Sequence, residues 1–244
     1  MQTTSYLILA AALLPAVILM IVILIRDKEQ PEPPHLLVKG VIYGVLSAFG
    51  SLLISMPLLS SGLIPSSYSN SLEAILHSFG AAALPEEAAK LFFLWLLLRR
   101  NSYFDEHLDG IVYSVCVGLG FAAFENIQYV FNAGDNWAFT AILRGLLSVP
   151  AHFFFAVLMG YYYSLVHFGH NPKRNAPWVL LAPVLAHGIF DTIAMAQEVS
   201  PGLEALFGIV LLLFCNELRK LCTRHIREMA IADKDNYNRS ENAE

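Results

Sequence analysis

The stretch YLILAAALLPAVILMIVILI, residues 6–25, decides what kind of molecule this is. It carries no charged side chain, and a helix of this length rises about 30 Å, the thickness of a bilayer's hydrocarbon core. The rest of the chain agrees with it. Of the 244 residues, 56% are hydrophobic and 14% charged; a soluble domain has roughly 25% charged residues, so water is not the main solvent here. The run opens without the basic residue of a signal peptide, and no small-x-small cleavage site follows it, so it is expected to stay on the chain as an anchor.

Seven apolar spans can be drawn, at 5–25, 37–58, 72–98, 108–131, 139–167, 178–197 and 203–223. Arg26, Lys28 and Lys39 flank the first loop, Arg99 and Arg100 the third, Lys173 and Arg174 the fifth, and Arg219, Lys220, Arg224 and Arg227 follow the last span. The intervening loops hold no basic residue. Because Lys and Arg stay cytoplasmic, this alternation places the N-terminus outside and the C-terminus in the cytoplasm, a parity that seven crossings satisfy. The expected fold is therefore all-α: one polytopic membrane helical bundle over 1–230, followed by a polar, disordered cytoplasmic tail at 231–244. Pro85 lies inside the third span and predicts a kink or break, with a fresh helix N-terminus near Glu86 that would favour anions. The net charge of −5 and the placement of basic residues at span ends exclude a nucleic-acid partner. Cys116, Cys215 and Cys222 form no CxxC pair and read as free thiols packed among apolar groups.

Ionisable residues stand where lipid should be: Glu86, Glu87 and Lys90, then Glu125, Arg144 and His152, then His187 and Asp191. A charge at a helix centre costs about 2.5–3.5 kcal/mol on insertion scales, so these groups must be paired, hydrated or neutralised. At 1.5 Å per residue, Glu86, Glu125, His152, His187 and Asp191 lie roughly 15–24 Å from their cytoplasmic helix ends, in one layer contributed by four helices. Glu86 and Lys90 are four residues apart and Glu87 and Lys90 three, so they share a face, as do His187 and Asp191. Two adjacent glutamates point about 100° apart, which predicts different roles for the pair. Gly118 and Gly120 predict a close helix approach, and Asp109 predicts a cap for the fourth span.

Four of these segments resemble the PrsW family of intramembrane proteases, within the wider superfamily of type II CAAX prenyl proteases and bacteriocin-processing proteins. PEEAAK at 85–90 is similar to the family's Glu-Glu-x-x-Lys element, and DGIVYSVCVGLGFAAFENIQYV at 109–130 to its second motif, with Glu125 in FEN. RGLLSVPAHFFFAVLMGYYY at 144–163, with His152 and Gly160, is similar to the third, and LAHGIFD at 185–191, with His187, to the fourth. Together they span 80–195 in the family's order. Asp191 stands where the family often has Asn, so this position donates a hydrogen bond only with its carboxyl protonated. The resemblance implies proteolysis of membrane-anchored, single-span substrates, including first-site cleavage of an anti-sigma factor, in a bacterial cytoplasmic membrane.

Peptide hydrolysis needs an activated water, a partner for the oxyanion and a proton for the leaving amine. Glu86 or Glu87 is expected as base, His152 and Glu125 as holders of the water or of a metal ion, His187 as the group that polarises the carbonyl, and Lys90 and Asp191 in support. Glu86, Glu125, His152 and His187 offer enough ligands for zinc, while a metal-free glutamate mechanism needs only the base and oxyanion donors. No HExxH, GxSG or GxGD motif is present. Two rivals come from other classes: a proton-coupled transporter or channel, which proteoliposome flux would reveal, and a non-catalytic scaffold, whose carboxylates would tolerate substitution.

Overall fold

Apolar chain without water to bond must close its backbone hydrogen bonds within helices. The computed structural model describes residues 2–241, and all the regular structure among them is helical: α1 (Gln2–Arg26), α2 (Pro34–Ser60), α3 (Ser71–His77), α4 (Leu84–Leu98), α5 (Asp109–Asn132), α6 (Trp137–Leu146), α7 (Ser148–His167), α8 (Pro172–Asn175), α9 (Trp178–Val199) and α10 (Glu204–Glu241), with a π-helical turn at Ser78–Ala83 and a short 3-10 turn at Gly134–Asn136. Five stretches among them are long and apolar enough to cross a membrane: Ser5–Arg26, Pro34–Ser60, Asp109–Asn132, Gly134–His167 and Pro172–Val199. The expected spans at 72–98 and 203–223 are helical as well, in α3 with α4 and in α10, but are not among the five. Outward-facing apolar side chains such as Leu53, 80% exposed, and Leu213 suit a surface bathed in lipid.

The centre of the bundle is α5, in which every residue from Asp109 to Ala122 is buried. Small residues let α2 and α7 come close on either side. Gly120 lies against the backbone of Val41, Gly44 against Val117, Gly118 against Ala156, and Gly160 against the carbonyl of Gly110. A side chain at Gly120 would meet backbone that cannot swing aside. Gly120→Leu is therefore expected to destabilise by about 3 kcal/mol, the upper end of overpacking effects. It should lower the unfolding temperature in detergent, whereas Gly208→Ala, which meets open space, should leave it unchanged.

Two prolines behave differently from the sequence expectation. Pro85 does not break its helix: the π turn at Ser78–Ala83 runs straight into α4, with every linking residue in right-handed helical conformation. The wider turn contains Ala81, whose carbonyl the proline ring would otherwise crowd, so no free helix N-terminus forms at Glu86. The break comes at Leu147 (φ −118, ψ −64), which divides the expected span 139–167 into α6 and α7. Pro150, in the first turn of α7, cannot donate to the carbonyl of Leu146, and this ends α6. The tail expected to be disordered is helical as far as Glu241, and the remaining residues, 242–244, lie outside the described part.

At one end of the bundle the loops 27–33, 99–108 and 168–177 meet the second half of α10. Asp233 of α10 accepts hydrogen bonds from the backbone N–H groups of His107 (2.7 Å) and Leu108 (2.9 Å) and sits 2.7 Å from His107 Nδ1. These amides at the start of α5 are thus held by another helix. Asp109 does not cap the helix it opens; its Oδ2 turns back to accept from Asp105 (3.1 Å) and Glu106 (2.7 Å), fixing the preceding loop. Burial, with the charge of Glu32 next, lifts the Asp27 carboxyl to about 7. Burial followed by the charge of Asp233 lifts Glu106 to about 7 as well. On the opposite side, His77 donates from Nδ1 to the carbonyl of Pro65 at 2.8 Å, tying the 60–71 loop to α3.

Candidate active site

The three residues that α4 contributes follow directly after the π turn. Glu86, Glu87 and Lys90 occupy its first two turns, and their i,i+3 and i,i+4 spacing lets one ammonium reach both carboxylates. Lys90 Nζ lies 2.7 Å from Glu87 Oε1 and 3.6 Å from Glu86 Oε2. The same ammonium donates to His152 Nδ1 of α7 at 3.2 Å and sits over the ring of Phe121 of α5, 3.9 Å from its centroid. With Nδ1 accepting, the proton of neutral His152 is on Nε2, which donates to Glu125 Oε2 of α5 at 3.0 Å. Glu125 is also bound by Arg144 of α6, 2.8 Å from the same oxygen. Arg144 Nε donates to Asn126 Oδ1 (3.0 Å), and Asn126 Nδ2 donates to the carbonyl of Ala12 in α1 (2.7 Å).

On the other side of Lys90, His187 of α9 places Nδ1 2.9 Å from Glu87 Oε1, so this nitrogen donates to the carboxylate. Its Nε2 then faces the gap between Asp191 Oδ2, at 3.3 Å, and Glu86 Oε2, at 3.9 Å. Phe155 stacks on the His187 ring with centroids 4.7 Å apart and fixes its plane. All the site residues expected from the sequence, Glu86, Glu87, Lys90, Glu125, His152, His187 and Asp191, thus join one continuous chain of polar contacts across α4, α5, α7 and α9. Arg144 pairs with Glu125.

The two neighbouring glutamates differ as their helical phase requires. Glu87 is fully buried and bound by both Lys90 and His187, whereas the Glu86 side chain is 16% exposed and its Oε2 has no hydrogen-bond partner. Glu87 Oε2 is also buried and unpartnered. Glu86, Glu87, His152 and His187 each offer a ligand atom within 4.8 Å of the others. Two carboxylates and two imidazoles form a donor set that suits zinc, and the orphaned oxygens have capacity to spare for an ion. The group includes Glu87 in the place the sequence reading gave to Glu125, whose Oε2 is held by Arg144 and His152. Sequence reasoning missed Asn126 and Phe155. The Asn of the FEN triplet was the available signal for the first, and a stacking aromatic three residues from a histidine for the second.

Comparison with known proteins gives the family. Residues 32–216 match the model of a family described as PrsW family intramembrane metalloprotease. A Protease PrsW of Geobacillus kaustophilus (strain HTA426) is 34% identical over 192 residues, which is 78% of this chain and 81% of that protein. One of Clostridioides difficile (strain 630) is 36% identical over 190 residues, covering 76% and 78% of the two chains, and one of Bacillus subtilis (strain 168) is 32% identical over 192 residues, covering 78% and 83%. No solved structure matches the chain.

Proposed function

The chain belongs to the PrsW family of intramembrane proteases, and from that premise we propose that it hydrolyses a peptide bond of a single-span membrane protein, with Glu86 as the base that activates water. The observation that carries this reading is the position of Glu86 Oε2, buried, without a hydrogen bond, and facing His187 Nε2 across a gap of 3.9 Å. A water held there gives its proton to Glu86 as its oxygen attacks the carbonyl carbon. Glu86 then passes that proton to the leaving amide nitrogen. His187, which donates from Nδ1 to Glu87 and is stacked by Phe155, presents Nε2–H to the oxyanion as an imidazolium, with the Asp191 carboxylate beside that nitrogen. Glu125 and Arg144 hold His152, which shares Lys90 with Glu87 and so keeps the ammonium between the helices.

Zinc seated among Glu86, Glu87, His152 and His187 would supply Lewis-acid polarisation and a more acidic bound water. His152 Nδ1 could join such a set only once the Lys90 ammonium moves off it. Below Glu86 on α4, an apolar cavity of about 600 Å³ between α4, α7 and α9, lined by Ala88, Phe92, Trp95, Tyr163 and Val179, suits the apolar span of a substrate. By resemblance to its family the protein sits in a bacterial cytoplasmic membrane and an anti-sigma factor is a fitting substrate, while the alternation of basic loops supports seven crossings with the C-terminus inside.

The test is reconstitution in proteoliposomes with tagged single-span substrates, reading new termini by mass spectrometry and proton flux in parallel. Cleavage within or beside the substrate's span, without flux, is the expected result; flux without cleavage would sink the proposal. If zinc takes part, a chelator should lower the rate about 100-fold or more and added zinc should restore it. An unchanged rate after chelation would assign the metal-free route.

A further inference from the structure

We propose that the end of the bundle where the 27–33 and 99–108 loops meet holds a second, oxygen-coordinated divalent cation, Ca²⁺ or Mg²⁺, bound by Asp27, Glu106 and Asp109. These carboxylates come from three places in the chain: just past α1, in the loop before α5, and at the first residue of α5. One oxygen of each lies within 4.8 Å of the others. Asp27 is 3% exposed and Asp109 1%, and Asp27 Oδ2 is buried with no hydrogen-bond partner. Asp109 is immobilised by the two amides that Oδ2 accepts, and its carboxyl also hydrogen-bonds with that of Glu32, so the buried oxygen free for an ion is Asp27 Oδ2. Glu32 adds a fourth acidic group close by, hydrogen-bonded by the Tyr113 hydroxyl. Among the described residues, every Lys or Arg ion pair lies elsewhere.

Buried carboxylates crowded together without a cation are unfavourable by desolvation and by mutual repulsion, and the compensation is protonation, a pairing charge or a metal. None of the ion pairs among the described residues joins a Lys or Arg to these three carboxylates. A purely oxygen donor set selects a hard ion over zinc or copper, and flexible carboxylates with room for water ligands match Ca²⁺ or Mg²⁺. The place is distinct from the catalytic centre: Asp109 and Glu125 are sixteen residues apart on α5, about 24 Å along its axis. An ion there would fasten the end of α1 to the start of α5, beside the contact that Asp233 makes from α10.

The experiment measures Ca²⁺ and Mg²⁺ binding to the chelator-treated full-length protein in detergent, by calorimetry and by the shift in unfolding temperature. One site per chain and a rise of several degrees at saturating ion are expected, since a ligand of the folded state alone stabilises it. Asp27→Asn and Glu106→Gln should each weaken binding at least tenfold, while Glu86→Gln, at the other centre, should bind as the parent does. Two conservative variants in different loops keep the test independent of whether Asp109→Asn folds. No response to either ion, or a response that survives both Asp27→Asn and Glu106→Gln, overturns the site.

Discussion

Glu86→Gln is expected to lower the rate of substrate cleavage by about 10²–10⁴-fold, the range that a positioned base contributes, while the protein inserts and unfolds as the parent does. The amide has the shape of the carboxylate but cannot take a proton from water. Glu86 is suited to this experiment because its Oε2 makes no hydrogen bond and its side chain is partly exposed. Neutralising it therefore loosens only the long contacts with Lys90 (3.6 Å) and His187 (3.9 Å). The measurement is single-turnover cleavage in proteoliposomes beside a thermal unfolding curve. A variant that keeps more than about a tenth of the parent rate would remove Glu86 from the base role, since even a modest general base is worth more than that.

The second large effect falls on stability. Glu87→Ala should destabilise the bundle by about 3–5 kcal/mol, because removing one member of a buried pair leaves the other charge uncompensated. Glu87 is 0% exposed and Lys90 3%. Unfolding in detergent should fall accordingly, and adding Lys90→Met to make the double variant should recover much of the loss by removing the stranded ammonium. Activity should not return with it, because His187 Nδ1 has still lost the carboxylate that orients the ring. A Glu87→Ala protein as stable as the parent would show that Lys90 is neutralised by other groups.

The parts of this molecule that could be read in sequence are those where an amino acid is out of place in its surroundings. Glu86, Glu87, Glu125, His152 and His187 stand in apolar runs, and the energy of burying them requires that they meet. Helical periodicity and depth then suffice to place them in one layer; the structure joins Glu87, Glu125, His152 and His187, with Lys90 among them, by contacts of 2.7–3.2 Å, and sets Glu86 3.6 Å from Lys90 and 3.9 Å from His187. The division of labour between Glu86 and Glu87 was legible as a difference but not in its direction. Adjacent positions on a helix point apart by a known angle, while which of them is buried against His187 depends on how α4 packs on α9.

Other features left no such signal. Asp27, Glu106 and Asp109 lie in or beside loops, where acidic residues are ordinary, and the eighty residues separating the first from the others hide their contact. Pro85 and Pro150 look alike in sequence, yet only the second coincides with a break, because nothing local says that a widened turn will accommodate the first. The residues after Ala230 read as polar tail, but Asp233 spends its carboxylate on the amides at the start of α5, and a helix anchored in this way can extend beyond the apolar part of the chain.

The π turn at Ser78–Ala83 has a consequence for how this helix can vary. Its bonds reach one residue further back than α-helical ones, so it stores one residue more than the same rise of ordinary helix needs. Losing any one of Ala81, Ala82 or Ala83 would let the coil tighten into ordinary α-helix with the faces on either side kept, whereas losing a residue from regular helix such as α4 would turn everything before it by about 100° relative to everything after. The three alanines thus hold the slack of this helix: α3 can keep its seat on α9, and the two glutamates their aim at His187, with one alanine fewer.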